Sequence, residues 1–132
     1  MADPTRVFTV IALVSLPTVM FGGFSLLRLL AGRGLNDFQQ GAFRAGHAHA
    51  GVLLVLALVY LDILSRTGLT VGLRWLAAVV LVAGILAQSG GFFVHMAVGR
   101  PGGWSAGNTV TSAGGVLLAT AMLLLAYAVI VG

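Results

Sequence analysis

Four long apolar stretches alternate with short polar segments along the chain. They cover residues 7–31, 47–65, 75–98 and 109–131, and each has about the 20 residues that a helix needs to cross a bilayer. Because the connecting segments are short, consecutive helices must be antiparallel neighbours. The pattern predicts an all-α polytopic membrane protein, a four-transmembrane-helix bundle in which residues 1–132 form a single domain.

The composition supports this interpretation and excludes several others. Of the 132 residues, 59% are hydrophobic and only 8% are charged, whereas a soluble domain has about a quarter charged residues. A soluble enzyme is therefore excluded. A nucleic-acid-binding protein is excluded as well, because the net charge of +4 is spread along the chain without forming a patch. The expected partners are the lipid bilayer and either further copies of the chain or a larger membrane complex.

Three residue types are missing, which narrows the chemistry. The chain has no Cys, no Lys and no Glu, so disulfides, thiolate ligands, Schiff-base lysines and glutamate proton carriers are excluded. The use of Arg without Lys is typical of a GC-rich genome. We expect a multi-pass protein of a bacterial inner (plasma) membrane.

The arginines divide almost evenly between the two ends of the predicted bundle. We call the end with the first and third loops side A, and the end with the N-terminus and the second loop side B. Side A has Arg28, Arg33, Arg44 and Arg100, and side B has Arg6, Arg66 and Arg74. The positive-inside rule weakly favours side A as cytoplasmic, and the near balance leaves a dual topology open.

All three histidines are predicted at side A. His47 and His49 stand at the mouth of helix two, and His95 ends helix three. Residues two apart on an α-helix point about 200° apart, so His47 and His49 cannot both ligate one ion from a regular helix. Either one of them faces inward, or the helix begins at His49 and His47 reaches in from the loop.

Imidazole chemistry at this face suggests a cofactor site. One inward histidine from helix two, together with His95, would supply two axial haem ligands or part of a three-histidine transition-metal site. Gln88 lies seven residues before His95 on the same stripe and needs a polar partner inside the bundle. Two flanking arginines would hold an anionic group such as a haem propionate. The candidate cofactor-binding residues are His47, His49, His95, Gln88, Arg44 and Arg100, with the three histidines as metal ligands.

The same residues have other interpretations. Histidines at a helix mouth commonly lie among lipid headgroups, hydrogen-bonded to backbone or water. Proton transfer and binding of a polar substrate are further alternatives. No catalytic residue is predicted.

Several local structures are also predicted. Asp62 precedes Arg66 by four residues, the favourable order for a helical ion pair. Asn36 would cap a short interfacial helix over residues 36–43, and Asn108 would cap helix four. Small residues at spacing four predict a close helix seam or an oligomer contact; they are Ala83, Ala87 and Gly91, followed by His95, on helix three, and Gly107, Thr111, Gly115 and Ala119 on helix four.

The segment Gly46-His-Ala-His-Ala-Gly51 resembles the His-x-His helix mouths of small four-helix membrane proteins related to haem–copper oxidase subunit I. In that family a membrane histidine ligates haem, so the resemblance implies His47 or His49 as a ligand. A binuclear haem–copper centre is not implied, because the other histidine-bearing helices of the large subunit have no counterpart in this chain.

The leading hypothesis is a small, redox-associated membrane protein of the respiratory chain that holds a histidine-ligated haem or transition metal at side A. Two alternatives come from other classes. One is a small oligomeric transporter or channel subunit, supported by the balanced topology and the glycine-rich helices. The other is an accessory subunit of a larger membrane complex without chemistry of its own.

Overall fold

A computed structural model of the chain describes residues 3–32 and 34–131, except for the side chain of Leu30. Arg33, counted above on side A, lies outside the described residues. The described part contains four α-helices, which are α1 (Pro4–Ala31), α2 (Asp37–Ser65), α3 (Val71–Val98) and α4 (Ala106–Val131). Each is long and apolar enough to cross a membrane. The predicted all-α four-helix membrane architecture is confirmed.

The predicted ends of the helices agree with the structure better than the predicted starts. All four helices end at the predicted residue, but they begin 3, 10, 4 and 3 residues earlier than the apolar stretches do. Helix starts are set by capping groups, which here precede the apolar residues. The Thr70 side chain, for example, accepts from the Leu73 backbone N–H and caps α3.

The start of α2 corrects one prediction and confirms another. Asn36 is the N-cap, and it forms a capping box with Gln39, in which each side chain accepts from the other residue's backbone N–H at 2.9 and 3.1 Å. The short interfacial helix over residues 36–43 is not a separate element, because no residue breaks the helix between Asp37 and Ser65. It forms the first two turns of α2 and lengthens that helix at side A.

The start of α4 also differs from the prediction. Ser105, rather than Asn108, precedes the first turn and caps it, because its hydroxyl accepts from the Gly107 backbone N–H at 3.1 Å. Asn108, in the first turn, bonds back to the cap residue, since its side-chain oxygen accepts from the Ser105 backbone N–H at 2.9 Å. This is the reciprocal arrangement of a capping box.

The apolar core lies between α2, α3 and α4. Its fully buried members include Tyr60 and Leu64 on α2 and Leu81 on α3, and Ala121 joins them from α4. The Tyr60 hydroxyl donates to the backbone carbonyl of Ala121 at 2.9 Å. This bond joins α2 to α4 inside the core.

Helices α3 and α4 meet along a seam of small residues. Methyl groups added at Gly91, Gly107 and Gly114 would overlap the backbone of the facing helix. Buried small residues recur every seven positions along the seam, at Ala77, Gly84 and Gly91 and at Gly107, Gly114, Ala121 and Ala128.

This spacing corrects the predicted stripe in part. Gly91, Gly107 and Thr111 do lie at the seam, but Ala119 is exposed. Four residues turn a helix by about 40° more than a full turn, whereas seven residues stay within about 20° of two turns. A seam that runs the length of both helices therefore follows the seven-residue spacing.

Helix α1 takes an oblique path over the other helices. Near side B its Phe8 ring packs edge-to-face on Trp75 of α3, with ring centroids 5.6 Å apart. Near side A, Gly22 and Gly23 lie against His47 of α2. Most of the large apolar side chains of α1 are exposed, so it is the most peripheral of the four helices.

Charged residues mark both ends of the bundle. Arg6 and Arg28 are separated by 22 residues of α1, or about 33 Å of helix. On α2, Arg44 and Asp62 are separated by 18 residues, or about 27 Å. Asp62 forms the predicted ion pair with Arg66, with an N–O distance of 2.7 Å, and both side chains are exposed as expected at a membrane interface.

Candidate histidine site

His49 is held by its own helix. Its Nδ1 atom lies 2.8 Å from the backbone carbonyl oxygen of Ala45. A carbonyl oxygen only accepts hydrogen bonds, so Nδ1 carries the proton, and in the neutral imidazole the lone pair is on Nε2. The ring packs against Phe92 of α3, with centroids 4.8 Å apart. His49 therefore faces α3 and offers its Nε2 atom for a further interaction.

His95 is anchored to the start of α4. Its Nδ1 atom lies 2.7 Å from the Ser105 hydroxyl oxygen, and that hydroxyl lies 3.2 Å from the side-chain oxygen of Asn108, to which it donates. Nδ1 of His95 is thus engaged, and its Nε2 atom has no hydrogen-bond partner among the described residues. The His95 ring packs edge-to-face on Phe38, with centroids 5.0 Å apart.

His47 faces the opposite way from His49. Its ring lies against the two adjacent glycines of α1, and a methyl group built on Gly23 would lie 2.9 Å from its Nε2 atom. The ring also stacks on Phe43, one turn earlier on α2, with centroids 6.2 Å apart. The prediction that His47 and His49 point in different directions is confirmed. The alternative in which α2 begins at His49 is wrong, because α2 begins at Asp37.

The three histidines are thus divided between two surfaces of α2. In residues 3–32 and 34–131, no three His, Cys, Asp or Glu side chains lie close enough together to hold a metal ion. His47 belongs to the contact with α1. His49 and His95 belong to the α3 side, His49 through Phe92 and His95 by its own position on α3.

Gln88, Phe92 and His95 form a continuous stripe on α3. Phe92 follows Gln88 by four residues and precedes His95 by three, so successive members are neighbours on one helix face. His49 lies across from the stripe, against its middle member. We call Gln88, Phe92 and His95 together with His49 the histidine site. His49, Gln88 and His95 are all only partly buried.

The Gln88 side chain has no hydrogen-bond partner among the described residues, contrary to the expectation of a partner inside the bundle. Its amide oxygen lies beside Gly115, 3.7 Å from where a methyl group on that glycine would stand. Only its backbone carbonyl is engaged, accepting from the Thr111 hydroxyl at 3.4 Å. Gln88 is 14 residues from Arg74 and 10 from Val98, the last residue of α3, about 21 and 15 Å of helix. The amide therefore lies well inside the membrane-spanning helix with unused donors and acceptors.

Arg44 and Arg100 are placed at side A as predicted. Both side chains are exposed. Arg100 lies in the loop after α3, where its backbone carbonyl accepts from Gly103. Within the described part of the chain the ion pair of Asp62 with Arg66 is the only one, so neither Arg44 nor Arg100 is neutralised by a carboxylate there.

Sequence reasoning missed two residues of this region. Ser105 fixes the orientation of His95, and Phe92 supports His49. Ser105 carried a signal, since a serine three residues before a polar residue and ahead of an apolar stretch indicates a helix start. Phe92 carried none, because a phenylalanine in an apolar helix is ordinary core or lipid-facing material.

Comparison with known proteins yields no match: no family model fits the chain, and neither a curated protein nor a solved structure is significantly similar to it.

Proposed function

We propose that this chain is a redox-associated integral membrane protein that binds haem or a transition metal through His49 and His95. The observation that carries the proposal is the hydrogen bond from Nδ1 of His49 to the Ala45 carbonyl. Metal-ligating histidines almost always donate their other ring N–H to a carbonyl, carboxylate or water, which fixes the tautomer and orients the ring. The ring of His95 is likewise oriented by a hydrogen bond at Nδ1, here with the Ser105 hydroxyl.

The proposed site uses two imidazoles rather than three. His47 points toward α1 and lies outside the proposed site, and no group of three metal-binding side chains is assembled in the described residues. A haem or metal ion would supply the ability to accept and release one electron. The protein would contribute two Nε2 lone pairs and the free amide of Gln88, and Arg44 and Arg100 at the side A end would attract negative groups.

An absorption spectrum of the full chain in mild detergent, oxidised and then reduced, tests the proposal directly. We expect a Soret band that shifts on reduction, or a bound transition metal by elemental analysis. His49→Ala and His95→Ala should each abolish it. His47→Ala is the matched control, since it removes the same side chain two residues away on the other surface of α2, and it should retain the signal.

Two results would overturn the proposal. One is a colourless, metal-free protein that also fails to take up added haem. The other is equal loss of the signal in His47→Ala and His49→Ala, because a site facing α3 does not use His47.

The second candidate is an accessory subunit of a larger membrane complex. The outer face of α1 is apolar and exposed, and either lipid or a neighbouring membrane protein can cover it. In this case, replacement of all three histidines by alanine should leave co-purification with a partner and cellular behaviour unchanged.

The small oligomeric transporter or channel subunit stays an alternative, for which the free Gln88 amide is the relevant feature. Each candidate is compatible with the bacterial inner membrane as the location.

A further inference from the structure

A crevice runs between α1 and α2 at side B, at the opposite end of the bundle from the histidine site. Its volume is about 470 Å³. Its deeper walls are apolar and come from Val10 and Leu13 on α1 and from Leu58 and Leu61 on α2. Its mouth is polar, with Asp3 and Arg6 from the start of α1, and Asp62 and Ser65 from the end of α2.

The glycine-mediated contact between α1 and α2 lies near side A. There, Gly22 and Gly23 admit His47, and Val19 lies against Gly51. Toward side B, α1 also contacts α3, where Phe8 packs on Trp75. The crevice opens at that end, between the flanks of α1 and α2.

The charged side chains at the mouth of the crevice differ in whether they have a hydrogen-bond or ion-pair partner. The Asp3 carboxylate accepts from the backbone and hydroxyl of Thr5 at 3.0 and 2.9 Å. Asp62 is paired with Arg66. Arg6 is exposed and has no carboxylate partner among the described residues. Among the described residues, the mouth thus offers one guanidinium, Arg6, and one carboxylate, Asp3, that are not in an ion pair.

We infer that this crevice binds one phospholipid with a phosphate–primary-amine headgroup, as in phosphatidylethanolamine. The order of groups along the membrane normal matches such a lipid, with charges at the interface and apolar walls below them. The Arg6 guanidinium pairs with the phosphate, for which arginine is well suited. The ammonium group lies toward Asp3, because Asp62 is already paired with Arg66. Since Arg6 offsets Asp3 in the same way, the charged groups at the mouth sum to zero. This balance matches a zwitterionic headgroup and disfavours the net negative charge of phosphatidylglycerol.

Native mass spectrometry of the delipidated full chain, with phosphatidylethanolamine, phosphatidylcholine and phosphatidylglycerol added separately, tests the inference. We expect one phosphatidylethanolamine to be retained in preference to the other two lipids. Arg6→Gln should weaken its binding about tenfold, since a charge-assisted contact is lost. Arg28→Gln, which removes an exposed arginine at the side A end of the same helix, is the matched control and should bind as the unmodified chain does.

Charge neutralisation of the mouth provides a second measurement. Asp3→Asn combined with Asp62→Asn should reverse the preference toward phosphatidylglycerol. Both positions are partly or fully exposed, and the fold of each variant is checked by circular dichroism. Equal retention of the three lipids by the unmodified chain would overturn the inference, as would equal effects of Arg6→Gln and Arg28→Gln. Neither result bears on the spectrum expected from the histidine site.

Discussion

The contact between α3 and α4 and the contact between α1 and α2 both use glycine, but they differ in extent. Along the α3–α4 seam, small residues recur every seven positions through most of both helices, and the two backbones touch. Between α1 and α2, glycines are confined to the side A half, where Gly22 and Gly23 admit one imidazole ring. The first contact is continuous and the second is local.

The difference shows how helix association works when lipid replaces water. Lipid tails are as apolar as leucine side chains, so close packing, rather than exclusion from solvent, holds membrane helices together. Small residues at regular intervals keep two helices in close contact along their whole length. A single pair of glycines produces close contact at one level, and toward side B a crevice lined by larger side chains such as Leu13 and Leu58 lies between the helices.

Gly91→Ala should have the largest effect on stability. Its methyl group would overlap Thr111 and the backbone of Gly107, and backbone cannot move aside as a side chain can. We expect a loss of about 3 kcal/mol in the free energy of unfolding, measured by titration with a denaturing detergent.

Gly90→Ala is the control for this change, because a methyl group there would meet no atom within 4 Å. It should be neutral, or stabilising by up to about 1 kcal/mol through helix propensity. If the two variants unfold alike, the α3–α4 seam is not close-packed, and it does not differ from the α1–α2 contact in this respect.

Tyr60→Phe should have a smaller effect. It removes the hydrogen bond to the Ala121 carbonyl, by which α2 is joined to α4 independently of the seam. We expect a cost of about 1 kcal/mol in the free energy of unfolding. Tyr127→Phe removes a hydroxyl from an exposed tyrosine on α4 and should change stability little. Equal costs in the same detergent titration would show that Tyr60 does not join the helices.

Gly23→Ala should have the smallest effect, although its methyl group would also be crowded. The crowding atom is Nε2 of His47, at the end of a side chain that can rotate. We expect a net change below about 1 kcal/mol, since helix propensity offsets the remaining strain.

Gly22→Ala meets His47 at 3.5 Å, an ordinary contact, and serves as the reference for Gly23→Ala. A loss in Gly23→Ala as large as that in Gly91→Ala would mean that the α1–α2 contact is as rigid as the seam.

Much of the fold was predictable because membrane helices are apolar over a length that the bilayer sets. The four C-terminal ends and the opposite directions of His47 and His49 follow from hydropathy and helix geometry alone. The helix starts did not follow, because the capping residues Asn36, Thr70 and Ser105 precede the apolar stretches.

The candidate site was predictable only in part. Sequence spacing indicated that Gln88 and His95 share a helix face, and the structure has both on one stripe. It did not indicate which of His47 and His49 faces α3, since that depends on the rotation of α2 within the bundle. The spacing of the seam was misjudged for a similar reason, because the inclination of two helices decides whether four-residue or seven-residue repeats stay in contact.

From the oblique path of α1 we expect the protein to respond to bilayer thickness. The charged residues that bound α1 are about 33 Å apart along the helix, and those that bound α2 are about 27 Å apart. If α2 stands upright, α1 must lean by about 35° for both sets to reach the same two interfaces. A thicker bilayer would draw α1 upright and close the crevice at side B, and a thinner one would open it. The acyl-chain length of the surrounding lipid would then determine how much room the crevice offers.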